Sequence, residues 1–342
     1  MNLLVTGAAG YVGSICAEAL VARGCKVTGL DNLVEGHRQA VPREAVFWEC
    51  DLGDRKRLDE FFASQRIDAV MHFAAEALVE KSVHDPSLFY VTNVACGLNL
   101  LDVMVRHGVK NLIFSSTAAV YGEPEQVPIP EEHRKAPINP YGRSKLIFEQ
   151  ILEDYRASTG LRYVTLRYFN AAGASEERGE DHRNETHLIP RLLEVASGQR
   201  KQIEVNGNGY PTPDGTCVRD YVHVLDIADA HVLALAQLDR FAGQAFNVGN
   251  ARGYSVMEVL EVIRRVTRRP IPAVVASRRP GDPAVLVASS DKIRRGRLGS
   301  RAWNRLWRPP GHGSRDFQPA TQGPLPRSAG PDYRPNLSWE EH

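Results

Sequence analysis

Residues 6–14 read TGAAGYVGS, and their reading decides the fold. Gly7, Gly10 and Gly13 fall between a short apolar run, NLLVT (2–6), and a stretch of helical spacing, YVGSICAEALVARG (11–24). Glycines at a strand-to-helix turn permit a tight bend and close backbone approach to a pyrophosphate. The helix N-terminus adds free N–H groups and partial positive charge. A glycine triplet alone is weak evidence, because ordinary turns and helix packing also use glycine. Here the next apolar run, KVTGLDN (26–32), ends on Asp31. An acid at that place hydrogen-bonds an adenosine ribose diol and repels a 2′-phosphate, which favours NAD over NADP. No G-K-[ST] ending follows, so an ATP-type loop is excluded.

Outward from this turn, AVFWECDL (45–52), DAVMHFAA (68–75), VKNLIFSST (109–117) and RYVTLRYFN (162–170) read as further strands. Helical stretches alternate with them: RKRLDEFFASQ (55–65), DPSLFYVTNVACGLNLLDVMVRHG (85–108) and INPYGRSKLIFEQ (138–150). Such alternation predicts an α/β fold, a Rossmann-type doubly wound parallel sheet over residues 1–170. Past Asn170 the pattern loosens into a smaller mixed α/β substrate lobe, residues 171–293, with part of 215–240 expected to pack back on the first domain. ASEERGEDHRNET (174–186) reads as a polar loop, and HLIPRLLEVASGQ (187–199) and YSVMEVLEVIRRVTR (254–268) read as helices. Residues 294–342 show no period and carry seven prolines from Pro309 to Pro335, so irregular or disordered chain is expected there.

Composition narrows the function classes. The 342 residues carry a formal net charge of +1, which leaves no basic footprint for nucleic acid. No apolar run approaches the ~20 residues that span a bilayer, and the N-terminus lacks the basic leader of a signal peptide. Five cysteines, Cys16, Cys25, Cys50, Cys96 and Cys217, show neither close pairing nor zinc-type spacing. The reading is a reduced, cytoplasmic protein without a metal.

Within INPYGRSK, Tyr141 and Lys145 stand one helical turn apart. As a surface pair they would contribute a few tenths of a kcal/mol. As a functional pair, Lys145 and a cationic cofactor ring would lower the tyrosine pKa, at roughly 10 when unperturbed. A shift of about 3 units requires roughly 4 kcal/mol, which a neighbouring ammonium and a charged ring in a desolvated cleft can supply. Tyr141 then becomes a general base near neutral pH. FSSTAAVYG (114–122) ends the fifth strand, where Thr117 can hydrogen-bond the reacting oxygen.

The G-x-x-G-x-x-G spacing with Tyr141-x-x-x-Lys145 resembles the extended short-chain dehydrogenase/reductase superfamily. HFAA (72–75), LRYFNAAGA (166–174), HLIP (187–190) and DGTCVRDYVHVLDIADAHV (214–232) make the resemblance narrower. Over residues 1 to about 290 the chain is similar to the UDP-glucose 4-epimerase family. That resemblance implies a tightly held NAD serving as a temporary hydride store, with Tyr141 taking and returning the sugar 4-hydroxyl proton. It implies an isomerase of UDP-hexoses. Cofactor contacts would fall on Gly7, Gly10, Tyr11, Val12, Gly13, Asp31, Asn32, Asp51, Leu52, Phe73, Ala74, Ala75, Asn93, Tyr141, Lys145 and Tyr168. UDP-sugar contacts would fall on Thr117, Tyr141, Asn170, Leu188, Arg219, Arg279 and Asp282. A homodimer through helices at about 86–107 and 140–158 is also implied.

There are departures. Ala77 stands where some such epimerases have a cofactor-contacting lysine, so Lys81 does not inherit that role. Cys217 replaces an expected glycine and threatens to crowd a turn. Leu286 falls at the position that gates sugar size, leaving N-acetylated sugars open. The family's ending is absent after SSDKIRR, and the reading frame is expected to be lost near Gly296. Rival readings are a UDP-N-acetylhexosamine or UDP-glucuronate epimerase, a 4,6-dehydratase, and a non-catalytic NAD-sensing protein. Ala118 and Ala119 supply no acid–base pair for dehydration, and a sensor has no need of Tyr141 with Lys145.

Overall fold

The computed structural model describes residues 1–278, 281–296 and 298. Six strands follow one another through the first half: β1 (Asn2–Thr6), β2 (Lys26–Asp31), β3 (Val46–Glu49), β4 (Ala69–His72), β5 (Asn111–Thr117) and β6 (Arg162–Tyr168). Three short ones come next, β7 (Asn170–Ala172), β8 (Ile203–Asn206) and β9 (Val218–His223), before β10 (Gln244–Val248). The large sheet is parallel throughout, in the order β10-β6-β5-β4-β1-β2-β3. The strand order reverses beside β1, so β1 and β4 flank the switch point where ligands bind in such sheets. Helices cover both faces, which is why Leu3, Leu4, Val5, Val70, Ile113 and Val164 are all buried without alternation.

The six expected strands are present. The seventh, β10, was not legible, because Asn247 interrupts its apolar run while being fully buried. Its amide and side chain are satisfied by Glu131, Tyr121 and the Ile129 carbonyl. The helix Val224–Ala236, just before β10, packs against the helix Tyr11–Val21 through Ile15, Cys16, Val224 and Ala228. The chain therefore returns to the large sheet well after residue 170.

The second unit has a four-stranded sheet in which β9 pairs with β7, with β11 (Gly253–Ser255) and, after β12 (Ala273–Ala276), with β13 (Val285–Leu286). β8 and β12 pair separately. Leu192, Val195, Ile203, Leu260, Ile263 and Ile271 form its own core.

The long expected helix is present but interrupted: Pro86–Tyr90 and Cys96–Arg106 are α-helical and Val91–Ala95 forms a π-turn. By length and composition alone this helix could cross a membrane, contrary to the expectation that no run approaches that length. It instead lays Leu100, Leu101, Val103 and Met104 against β4 and β5. All five cysteines are free thiols. The atypical tail beyond Leu298 lies outside the described residues.

Candidate functional site

Tyr141 is placed by its own helix, Pro140–Thr159. Asn139 caps it by accepting from Gly142 N at 2.8 Å, with Pro140 at the first position. A Cβ on Gly142 would lie 2.5 Å from the Ala119 carbonyl oxygen, so the first turn presses on the segment that follows Thr117. The Tyr141 hydroxyl lies within the influence of the Thr117 side chain. Thr117 Oγ1 accepts from Ala119 N at 3.1 Å. Lys145, one turn on, is buried and its Nζ donates to the Ser115 carbonyl at 2.9 Å. Sequence reasoning brought these three together but did not name Ser115, whose contribution is a backbone atom and leaves no side-chain signal.

Burial acts on both members of the pair. Burial pushes Lys145 down to about 7, against the pull of Glu149. Burial also raises Tyr141 above the ordinary phenol value, against the influence of Thr117. Lys145 alone therefore does not lower Tyr141, because its ammonium is engaged by Ser115 and is itself disfavoured by desolvation. The expectation joined Lys145 to a cationic cofactor ring, and that ring would be the second positive charge.

The glycine turn is built for backbone contact. Gly7 has φ +71°, and a Cβ there would lie 2.6 Å from Ala74 N; one on Gly13 would lie 2.1 Å from the Gly7 carbonyl oxygen. Gly10 precedes the helix Tyr11–Val21, which has neither a side-chain cap nor an acid in its first turn. Its N–H groups are open to an anion. Asp31 is buried and accepts from Ala9 N at 3.0 Å and Leu33 N at 2.8 Å. Burial raises its pKa against these bonds. Asn32 donates to Asp51 at 2.6 Å, and Asp51 also accepts from Gly53 N at 2.6 Å.

Other named residues act as supports. Val12 and Leu52 pack into the core, and the Tyr11 hydroxyl donates to the Gly173 carbonyl at 2.5 Å. Phe73 packs on His231 with ring centroids 4.6 Å apart. Phe73 and Ala74 present the backbone that faces Gly7, with Ala75 next in the chain. The Asn93 amide spends itself on protein: it accepts from Glu76 N at 2.8 Å and donates to Glu76 O at 3.0 Å and Ser144 Oγ at 2.9 Å. It thereby ties the end of β4 to the Tyr141 helix. Tyr168 stands opposite Thr117 in the sheet, and burial raises its pKa against the influence of the Ser115 side chain. Lys81 spans Glu76 and Glu35 at 2.9 and 3.3 Å.

On the other side, Arg219 and Asp282 pair with each other. The Arg219 guanidinium also donates to the carbonyls of Val218 and Pro283 at 2.8 and 2.7 Å. Burial opposes its charge, but Asp282 prevails and its pKa rises. Asn139, the cap of the Tyr141 helix, donates to the Gly281 carbonyl at 3.4 Å, which brings this segment to the start of that helix. Asn170 is opposite Tyr221 in β7–β9, and Leu188 opens the helix Leu188–Ala196. Leu286 lies opposite Arg219 in β13–β9 and packs against the cluster containing Ala118, Val120 and Tyr121. Arg279 lies outside the described residues. Cys217 is buried, and the left-handed position of its turn is Gly215, φ +76°.

A profile described as the NAD dependent epimerase/dehydratase family matches residues 3–249. The chain belongs to this family. It is 48% identical over 299 residues to a UDP-glucose 4-epimerase of Lacticaseibacillus casei, covering 86% of this chain and 90% of that one. It is 50% identical over 294 residues to a UDP-glucose 4-epimerase of Corynebacterium glutamicum, covering 86% and 89%. The crystal structure of UDP-glucose 4-epimerase from Bifidobacterium longum in complex with NAD+ and UDP superposes with a TM-score of 0.83 at 38% identity, covering 86% and 92%. The glycine turn, the uncapped helix after it and Tyr141 with Lys145 stand in the fold that this family shares.

Proposed function

We propose that this chain is an NAD-dependent isomerase that interconverts UDP-glucose and UDP-galactose at C4. The observation that carries the proposal is that Tyr141 meets Thr117 at the end of β5, with a buried Lys145 one helical turn on bonded to the Ser115 carbonyl, at the same edge of the parallel sheet as the glycine turn. NAD fits that turn: two of its glycines face backbone where no Cβ has room, and its helix N-terminus carries no competing cap. Gly7, Gly10 and Gly13 would hold the pyrophosphate, and Asp31 with Asn32 the adenosine ribose. When bound, NAD supplies a reversible acceptor for the C4 hydride and a cationic ring.

Tyr141 would take the proton from the sugar 4-hydroxyl and return it after the sugar has turned. Thr117 would hold the reacting oxygen toward Tyr141, and Lys145 would add charge that favours tyrosinate. Asn93 with Ser144 positions the helix that carries both. Arg219 and Asp282, with Asn170 and Leu188, would retain the UDP moiety. Purified protein incubated with UDP-galactose tests this; absence of UDP-glucose formation by NAD-loaded enzyme sinks it. UDP-N-acetylgalactosamine in a parallel incubation reads the sugar gate at Leu286.

We further propose a homodimer through Pro86–Arg106 and Pro140–Thr159, working in the cytoplasm. Val91 supports it, an apolar side chain 53% exposed on the first of these helices. Light scattering of the purified protein showing a monomer at micromolar concentration would refute the dimer.

A further inference from the structure

The loop between β7 and the helix Leu188–Ala196 carries Glu180, His182, Glu185 and His187. Sequence reasoning took this stretch as a polar loop and expected no metal. In the folded chain one donor atom from each of the four lies within 4.8 Å of the others. His187 Nδ1 is 2.8 Å from Glu180 Oε1 and 2.9 Å from Glu185 Oε1. His182 Nδ1 is 3.5 Å from Glu180 Oε1 and 3.6 Å from Glu185 Oε2. Tetrahedral zinc with bonds of about 2.0–2.1 Å sets its ligand atoms about 3.3 Å apart. These four separations, which use both oxygens of Glu185, bracket that value, and one donor atom from each residue gives a set within 4.8 Å that a bound cation would draw in.

A second observation points to a ligand. Glu185 is 6% exposed, yet its Oε2 has no hydrogen-bond partner, and neither does the buried Nδ1 of His182. They face each other at 3.6 Å, too long for a hydrogen bond and short enough to share one cation. A buried carboxylate oxygen and a buried imidazole nitrogen left unmatched are costly, and a divalent cation satisfies both at once. The donor set is two imidazoles and two carboxylates, which suits zinc or a similar first-row ion better than calcium or magnesium.

We propose that Glu180, His182, Glu185 and His187 bind one zinc-class divalent cation as a structural clasp. The clasp touches no reacting atom. The segment around it is fastened to the cofactor-side loops: Arg178 donates to the Ala40 carbonyl at 2.8 Å and pairs with Glu18 at 2.7 Å, and His37 lies 3.0 Å from the Asp181 carbonyl oxygen. It then feeds directly into Leu188. The cation therefore fixes the chain that links the nucleotide-side loops to the start of the substrate-side helix.

The test uses the full-length, untagged enzyme with its NAD. Growth in zinc-supplemented medium followed by gel filtration should leave about one zinc per chain by elemental analysis. Cobalt replacement should give the intense visible absorption of a four-coordinate site. Zinc added to chelator-treated protein should raise Tm. Glu185→Gln and His182→Ala should each weaken zinc binding by roughly tenfold or more, while circular dichroism reports whether each variant is folded. Substoichiometric metal, no cobalt band and no zinc-dependent shift in Tm in the unaltered enzyme would overturn the site, leaving the cluster closed by a proton on His187.

Discussion

On the sheet side, Thr117, Tyr141 and Lys145 are placed by local geometry: a strand end, a capped helix start and one helical turn. On the opposite side, Arg219 and Asp282 are separated by 63 positions in the chain and are placed by each other. The first arrangement survives loss of a distant partner. The second does not, since Asp282 is the ion-pair partner that opposes desolvation of Arg219. The proposed chemistry is thus placed by local geometry and the proposed recognition by mutual pairing.

Substitutions separate the two modes. The largest effect is expected from Tyr141→Phe, with kcat down by about 10³-fold or more and NAD still present in the purified protein. Unchanged turnover would remove Tyr141 from the mechanism. Gly13→Ala should come next. Its methyl group meets the Gly7 carbonyl at 2.1 Å, so the turn must open, and protein released from cells should be depleted of NAD by absorbance. Arg219→Met should destabilise the chain by roughly 3 kcal/mol in denaturant titration and raise KM for the UDP-sugar more than it lowers kcat. An effect on kcat alone would place Arg219 with the chemistry instead.

The proposed lysine gives a pH signature. Its folded pKa of about 7 lies below the unfolded value near 10.4. Between these limits the unfolded chain binds more protons, so stability rises with pH across roughly 7 to 10. Relative to Lys145→Met, the unaltered protein should gain up to roughly 4 kcal/mol over that window, read from denaturant midpoints at matched NAD. Parallel pH curves for the two proteins would show that Lys145 is not desolvated. The smallest effect is expected at the sugar gate, where Leu286→Ala should improve kcat/KM for UDP-N-acetylgalactosamine by about tenfold or less.

Much of the site was legible because its signals are short. Three glycines, an acid at a strand end and a tyrosine four residues before a lysine are visible without a structure. β10 was missed because a buried Asn247 hides its apolar pattern, and the π-turn at Val91–Ala95 was missed because its cause is tertiary: Asn93 is turned inward to bond Glu76 and Ser144. Glu180, His182, Glu185 and His187 were in plain view as a polar run. Nothing in that run says that four side chains turn toward one point.

The sequence by itself determined the parallel α/β fold, the glycine turn and the placing of Tyr141 one helical turn before Lys145, since each follows from periodicity or close spacing. Only the tertiary structure decided that Lys145 is spent on the Ser115 carbonyl, that burial raises Tyr141, and that Arg219 meets Asp282. These depend on desolvation and on partners far apart in the chain, and neither quantity exists until the chain is folded.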